Sequence, residues 1–206
     1  MAALPDRLDL VLAALALAVA LGLRPWRAAA PPAVALAWWA LLPLLWNADR
    51  LTAQPLIQPL AGSCLLMLML GWPLAVLLLV PVAGIGWLLA GGGAAEALHH
   101  LVWLGLVPIT LSVLIGAALR RWAPNHLFVY ILGRGFFATA LAMVGAGALS
   151  VALHGTPTGL AAEDVLLARL LVASGDAVIT GMLVAVFVAF RPHWLATYAD
   201  RIYLPR

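Results

Sequence analysis

Apolar runs separated by proline, glycine and charged residues are the main pattern of this chain. The longer runs exceed the ~20 helical residues that cross the ~30 Å hydrocarbon layer of a bilayer. The pattern predicts an all-α integral membrane protein with about seven transmembrane helices in one bundle, with residues 1–206 as a single membrane domain. The runs cover residues 8–23, 33–46, 56–70, 74–89, 98–119, 127–153 and 165–190.

Two of the runs, 33–46 and 56–70, are short for a complete crossing. Their helices either extend into the polar flanks or are partly re-entrant. The turn Gly71-Trp72-Pro73 is too short to cross a membrane, so it predicts a tight hairpin between the third and fourth runs.

The first run has the length of a signal peptide, but its flanks differ from one. Asp6 and Asp9 stand at its start, and no cleavage site of small residues precedes the next apolar run. We therefore expect residues 8–23 to be a transmembrane span.

The arginines indicate the orientation of the seven spans. Cytoplasmic segments carry an excess of basic residues. With the N-terminus outside and the C-terminus cytoplasmic, only Arg7 and Arg50 lie in outer segments. Seven arginines then lie in cytoplasmic segments, namely Arg24, Arg27, Arg120, Arg121, Arg191, Arg201 and Arg206.

Composition narrows the class of protein further. The chain is 66% hydrophobic and only 9% charged, which excludes both an ordinary soluble domain and a disordered chain. It has no lysine, so a retinal Schiff base and a Walker A site are excluded. Cys64 is the single cysteine, which excludes an intrachain disulfide. The net charge of +3 comes from scattered arginines, so no nucleic-acid partner is expected.

Three charged residues lie well inside the apolar runs, away from the run ends, where charge is costly. They are Arg134 in the sixth run and Arg169 and Asp176 in the seventh. Arg169, Asp176 and Thr180 are spaced to share one helix face, which we expect to point into the bundle. Two hypotheses remain: a buried substrate-binding site with Asp176 between two arginines, or a structural acid that fixes helix register.

Histidines at the outer helix ends are candidate metal ligands. His99 and His100 begin the fifth run, and His154 follows the sixth. These groups are predicted to converge on a transition-metal ion with an outer carboxylate, or else to be solvated. The acids considered are Glu96, Glu163 and Asp164. No HExxH motif or other catalytic arrangement is present in the sequence, so an enzyme is not expected and no further cofactor is predicted.

Several motifs between about residues 56 and 203 resemble a known family. They include LGWPLA at 70–75, GLVP at 105–108, TGMLV at 180–184 and FRPHWLATY at 190–198. In this order they resemble bacterial membrane proteins related to the CbiM cobalt/nickel permeases of energy-coupling-factor transporters.

The resemblance implies a seven-helix substrate-capturing subunit of an ABC importer in the bacterial cytoplasmic (inner) membrane. Such a subunit works with a transmembrane coupling subunit and two ATPases. Metal-binding members begin Met-His-Ile and hold Ni²⁺ or Co²⁺ with the first amine, that histidine and a later one. This chain begins Met1-Ala2-Ala3, and residues 56–60 contain no histidine.

Two functions are therefore compared. A transport subunit, for a transition-metal ion or another small solute, predicts an outward cavity closed in by the fifth, sixth and seventh spans. A non-transporting scaffold or accessory subunit of a larger membrane complex predicts no such cavity.

Overall fold

A computed structural model describes residues 4–25, 30–52, 58–91, 93–124, 126–156, 160–199 and 203. Within these ranges the chain forms helices and no strand. The helices are α1 Leu4–Gly22, α2 Ala33–Trp46, α3 Ala48–Thr52, α4 Ser63–Leu70, α5 Trp72–Ala90, α6 Ala94–Trp122, α7 Val129–His154 and α8 Ala162–Phe190, followed by a 3₁₀ turn Pro192–Trp194.

Four of the described helices are long and apolar enough to cross a membrane. They are Trp72–Leu89 within α5 and the whole of α6, α7 and α8. The prediction of an all-helical protein is confirmed for the described residues, and so is the presence of helices long and apolar enough to span a membrane. α2 is apolar but has only 14 residues. The number of crossings and their direction stay predictions.

The third apolar run is helical over only part of its described length. Residues 58–62 are not helical, and α4 has only eight residues, about 12 Å of helix. Every residue of α4 is buried. This burial fits the general rule that non-helical backbone is tolerated at membrane depth only where protein surrounds it. Residues 56–57, at the start of the predicted span, lie outside the described residues.

Distant segments satisfy the backbone groups at the C-terminal end of α4. The chain after α8 returns to this end, where the backbone N–H groups of Ala196 and Thr197 donate to the carbonyls of Met69 and Leu68 at 3.2 and 3.3 Å. The hydroxyl of Thr197 donates to Leu68 as well, at 3.0 Å. An isolated buried half-helix would leave these carbonyls unpaired at a cost of several kcal/mol.

Helices α6, α7 and α8 pack against one another with small residues at their contacts. A Cβ on Gly135 would lie 3.2 Å from the Cβ of Val184, and one on Gly181 would lie 3.2 Å from that of Phe136. Such close approach provides the van der Waals contact that associates helices in lipid. α6 and α7 also each contain a π-helical stretch, Leu101–Leu106 and Val129–Phe137.

Candidate functional site

The polar face predicted on α8 points into the bundle. Asp176 and Thr180 are only 4% and 1% exposed, and Arg169 is partly buried. The functional role of these residues stays a prediction, but their burial requires that each polar group has a partner.

The partners of Asp176 are backbone amides. The N–H of Ala61 donates to Oδ2 and the N–H of Gly62 donates to Oδ1, both at 3.0 Å. Gly62 is the residue immediately before α4, so the carboxylate lies at the positive end of that helix dipole. Neither Arg134 nor Arg169 forms an ion pair with Asp176, so a site shared by the acid and the two arginines stays a prediction.

Arg134 lies in the π-helical stretch of α7 and is 9% exposed. Its Nη1 donates a long hydrogen bond of 3.4 Å to the carbonyl of Thr197, and its guanidinium carbon lies 5.7 Å from the centre of the Tyr130 ring. A Cβ on Gly116 would lie 2.8 Å from Nε, so a larger residue there would have to displace the arginine side chain. Arg134 therefore packs near the C-terminal segment.

Arg169 packs across α7. Its Nη1 donates to the carbonyl of Gly147 at 2.6 Å, and its alkyl chain covers that glycine. The side chain also lines a cavity of about 80 Å³.

That cavity lies among α6, α7, α8 and the segment before α4. Its polar lining includes Gln58, His99, His100, Trp103, Ser150 and Arg169. The transport hypothesis predicts an outward cavity closed in by the fifth, sixth and seventh spans. This cavity lies between the corresponding helices, and its outward orientation stays a prediction.

Next to the cavity, Asp9, His99 and His154 form a cluster with the composition of a metal centre. Asp9 Oδ2 lies 3.2 Å from His99 Nδ1, and Asp9 Oδ1 lies 3.3 Å from His154 Nε2. The three potential ligand atoms all lie within 4.8 Å of one another. The indole N–H of Trp103 donates to Asp9 Oδ1 at 2.8 Å, which fixes the carboxylate.

Helix topology explains why these residues meet. Asp9 lies near the start of α1, His99 near the start of α6, and His154 ends α7. Antiparallel neighbours bring these three helix ends to the same side of the bundle. The two imidazole rings meet edge to face, with centroids 4.8 Å apart.

The expected convergence of His99 and His154 is observed, but the expected acids are not its partners. Glu96 binds Arg50 at 2.6 Å instead, while Glu163 and Asp164 are exposed. The acid at the cluster is Asp9, which stands at the start of the first apolar run and was not among the predicted ligands.

His100 takes a different position from that of its neighbour. It lines the cavity and stands outside the cluster of Asp9, His99 and His154. Of the two candidate ligands His99 and His100, only His99 belongs to a group of three potential ligands within the described ranges.

Comparisons with protein families, curated proteins and solved structures find no match to this chain.

Proposed function

We propose that this chain is the substrate-capturing membrane subunit of an importer of the energy-coupling-factor type, in a bacterial cytoplasmic membrane. The observation that supports this function best is the cavity of about 80 Å³ between α6, α7 and α8. The motifs shared with CbiM-related proteins support the same class.

The proposed topology keeps seven crossings, with the third one part extended and part helical. Gln58 lines the cavity beside His99, Gly62 binds Asp176 near the middle of α8, and Leu68 binds Thr197 beyond the end of α8. These contacts support a segment that passes through the whole thickness of the bundle within 58–70.

Charge supports the proposed orientation. Arg120 and Arg121 end α6 and Arg191 follows α8, at the end of the bundle opposite His99 and His154. If arginine-rich ends are cytoplasmic, the cavity and the histidines face the outside. A subunit that captures a solute for import needs its binding cavity on that face.

The test combines purification and uptake. The tagged full-length chain is purified from its native host in mild detergent, and co-purifying ATPase and coupling subunits are identified by mass spectrometry. Uptake of radioactive nickel, cobalt and zinc is then compared between wild type and Ser150→Phe, which fills the cavity. The control is Leu149→Phe, at an exposed neighbour on the same helix.

We expect ATPase subunits to co-purify, and we expect Ser150→Phe to abolish uptake while Leu149→Phe retains it. A chain that purifies without ATPases, and whose deletion leaves uptake unchanged, would contradict import.

A second function is favoured by residues 56–60. They contain no histidine, although the resemblance leads one to expect a metal-binding histidine in this region. The alternative is a non-transporting scaffold or accessory subunit of a larger membrane complex. Purification in a large assembly, together with wild-type behaviour of Ser150→Phe, would support this alternative.

A further inference from the structure

We infer that Asp9, His99 and His154 together bind one divalent first-row transition-metal ion, such as Zn²⁺, Co²⁺ or Ni²⁺, beside the cavity. Assigning that ion as the imported substrate rests on the proposed function, whereas the binding itself does not. The site uses residues at three different helix ends and none of the N-terminal positions that the family resemblance involves.

The ligand chemistry selects this class of ion. Two imidazole nitrogens with one carboxylate oxygen suit zinc, cobalt, nickel, copper and iron, while Mg²⁺ and Ca²⁺ prefer all-oxygen sites. His99 Nδ1 and His154 Nε2 are the nitrogens that face Asp9.

The spacing of the ligand atoms fits one ion. Ligands held ~2.0–2.1 Å from a tetrahedral centre lie about 3.3 Å from each other. The two carboxylate–imidazole distances are 3.2 and 3.3 Å. The largest separation in the cluster is at most 4.8 Å, so a bound ion draws the imidazoles together by a small rotation of their rings.

Burial gives a second reason for a metal. Asp9 is 3% exposed, and a carboxylate at this depth needs a cationic partner or several hydrogen bonds. Both ring nitrogens of His154 are shielded from solvent, and neither makes a hydrogen bond of good geometry. A metal ion bound to Nε2 would give the imidazole a partner, and the positive charge of the ion would balance the carboxylate of Asp9.

The surroundings resemble the outer shell of a metal site. Trp103 orients Asp9 through its indole N–H, as outer hydrogen bonds orient ligating carboxylates. Three protein ligands leave at least one coordination position, and both His99 and Trp103 line the adjacent cavity. Arg169 also lines it and favours an anionic or water-derived group at that position rather than a second cation.

The test uses the purified full-length protein in detergent, titrated with Zn²⁺, Co²⁺ and Ni²⁺ by calorimetry and, for Co²⁺, by visible absorption. We expect one equivalent of metal to bind. Asp9→Asn, His99→Gln and His154→Gln should each lower the affinity at least about tenfold, because removing a ligand costs no less than removing an outer-shell partner.

Two histidine variants are matched controls. His126→Gln and His193→Gln each change an exposed histidine that lies outside the cavity. Both should retain wild-type affinity. Equal losses in His193→Gln and His99→Gln would overturn the assigned ligand set.

X-ray absorption of the zinc-loaded wild type tests the site without any variant. Two imidazoles and an oxygen ligand in the first shell support the inference, and a shell without two imidazoles overturns it.

If no ion binds the wild type but ATP-dependent uptake of another solute occurs, the metal site is wrong and the import function stands. If the ion binds but no ATPase or uptake is found, the site stands and import is wrong.

Discussion

The carboxylate of Asp176 accepts a hydrogen bond from the backbone N–H of Gly62 at 3.0 Å, although 114 residues separate them. With the second bond from Ala61, this places a carboxylate at the N-terminal end of the buried helix α4. Lipid provides no hydrogen bonds, so a helix that begins inside a membrane protein needs such a partner. The geometry therefore explains the buried acid as the acceptor for the two backbone N–H groups that lead into this half-helix.

Replacing Asp176 with asparagine should destabilise the protein. An amide presents only one oxygen to two N–H donors, and hydrogen bonds to a charged group contribute about 1.5–3 kcal/mol each. We expect Asp176→Asn to lose roughly 2 kcal/mol or more in thermal or denaturant unfolding in detergent. Asp164→Asn, at an exposed acid on the same helix, is the control. Equal stability of the two variants would show that the carboxylate does not stabilise the backbone before α4.

Gly62→Ala should lower the stability of the protein more than an ordinary glycine-to-alanine substitution does. Gly62 has φ +61°, and a Cβ there would lie 2.8 Å from Leu42 Cδ2 and 3.0 Å from Trp38 Cζ2. The left-handed conformation alone costs about 1–2 kcal/mol for a residue with a Cβ. Gly84→Ala, in the open interior of α5, should instead be neutral or stabilise by up to about 1 kcal/mol. Opposite shifts in melting temperature are the expected result, and similar shifts would contradict it.

The long helices were the most predictable part of the fold. The runs 98–119 and 165–190 lie within the observed helices Ala94–Trp122 and Ala162–Phe190. Length and hydropathy suffice there because a lipid-facing helix must be apolar over its whole height. The run 56–70 is also apolar, but its described part, 58–70, is helical only from Ser63. This boundary was hard to predict, because a segment buried on all sides has no polar face to reveal its periodicity.

The candidate site was predictable only in part. The convergence of His99 with His154 follows from antiparallel helix ends. Asp9 could have been found by the same reasoning, because it stands near the start of α1 and hence at that end of the bundle. The bond between Asp176 and Gly62 joins distant parts of the chain through a loop, and no local pattern in the sequence encodes it.

The stability of the packing between α4 and the segment after α8 should depend on the hydroxyl group of Thr197. The Thr197 hydroxyl donates to the carbonyl of Leu68 at 3.0 Å and lies 2.8 Å from the hydroxyl of Tyr130. Thr197→Val removes both bonds and should cost about 1–3 kcal/mol, while Thr197→Ser should retain most of the stability. Combined with Tyr130→Phe, the valine variant should lose less than the sum of the two changes, because they share one bond. Strict additivity in thermal unfolding would contradict this coupling.

The ion pair between Arg50 and Glu96 should contribute little to stability. Both side chains are more than a third exposed, and Arg50 Nη2 lies 2.6 Å from Glu96 Oε2. The hydrogen bond to Glu96 raises the pKa of Arg50 above its ordinary value. A group whose pKa is higher in the folded protein than in the unfolded chain stabilises the fold at lower pH. This stabilisation is lost only as the pH rises through the pKa of the folded protein.

For an arginine that loss falls well above neutral pH, so Arg50 should stay charged between roughly pH 6 and 9. We expect no pH dependence from this group there. Glu96→Gln should match wild type in ~0.5 M salt, because salt screens exposed pairs. A large loss of stability at high salt would instead indicate a structural role for this contact.

Cysteine labelling in right-side-out vesicles tests the proposed seven crossings. Cys64 is 2% exposed, so the wild type should react with an impermeant maleimide only after denaturation, and Cys64→Ser provides a clean background. In that background Arg7→Cys and Glu163→Cys should label in intact vesicles, because six crossings separate them. Trp122→Cys, at a residue 82% exposed at the end of α6, should label only after permeabilisation. Labelling of Arg7→Cys and Glu163→Cys from opposite sides would show an odd number of crossings between them, and the extended segment before α4 would then not complete a third crossing.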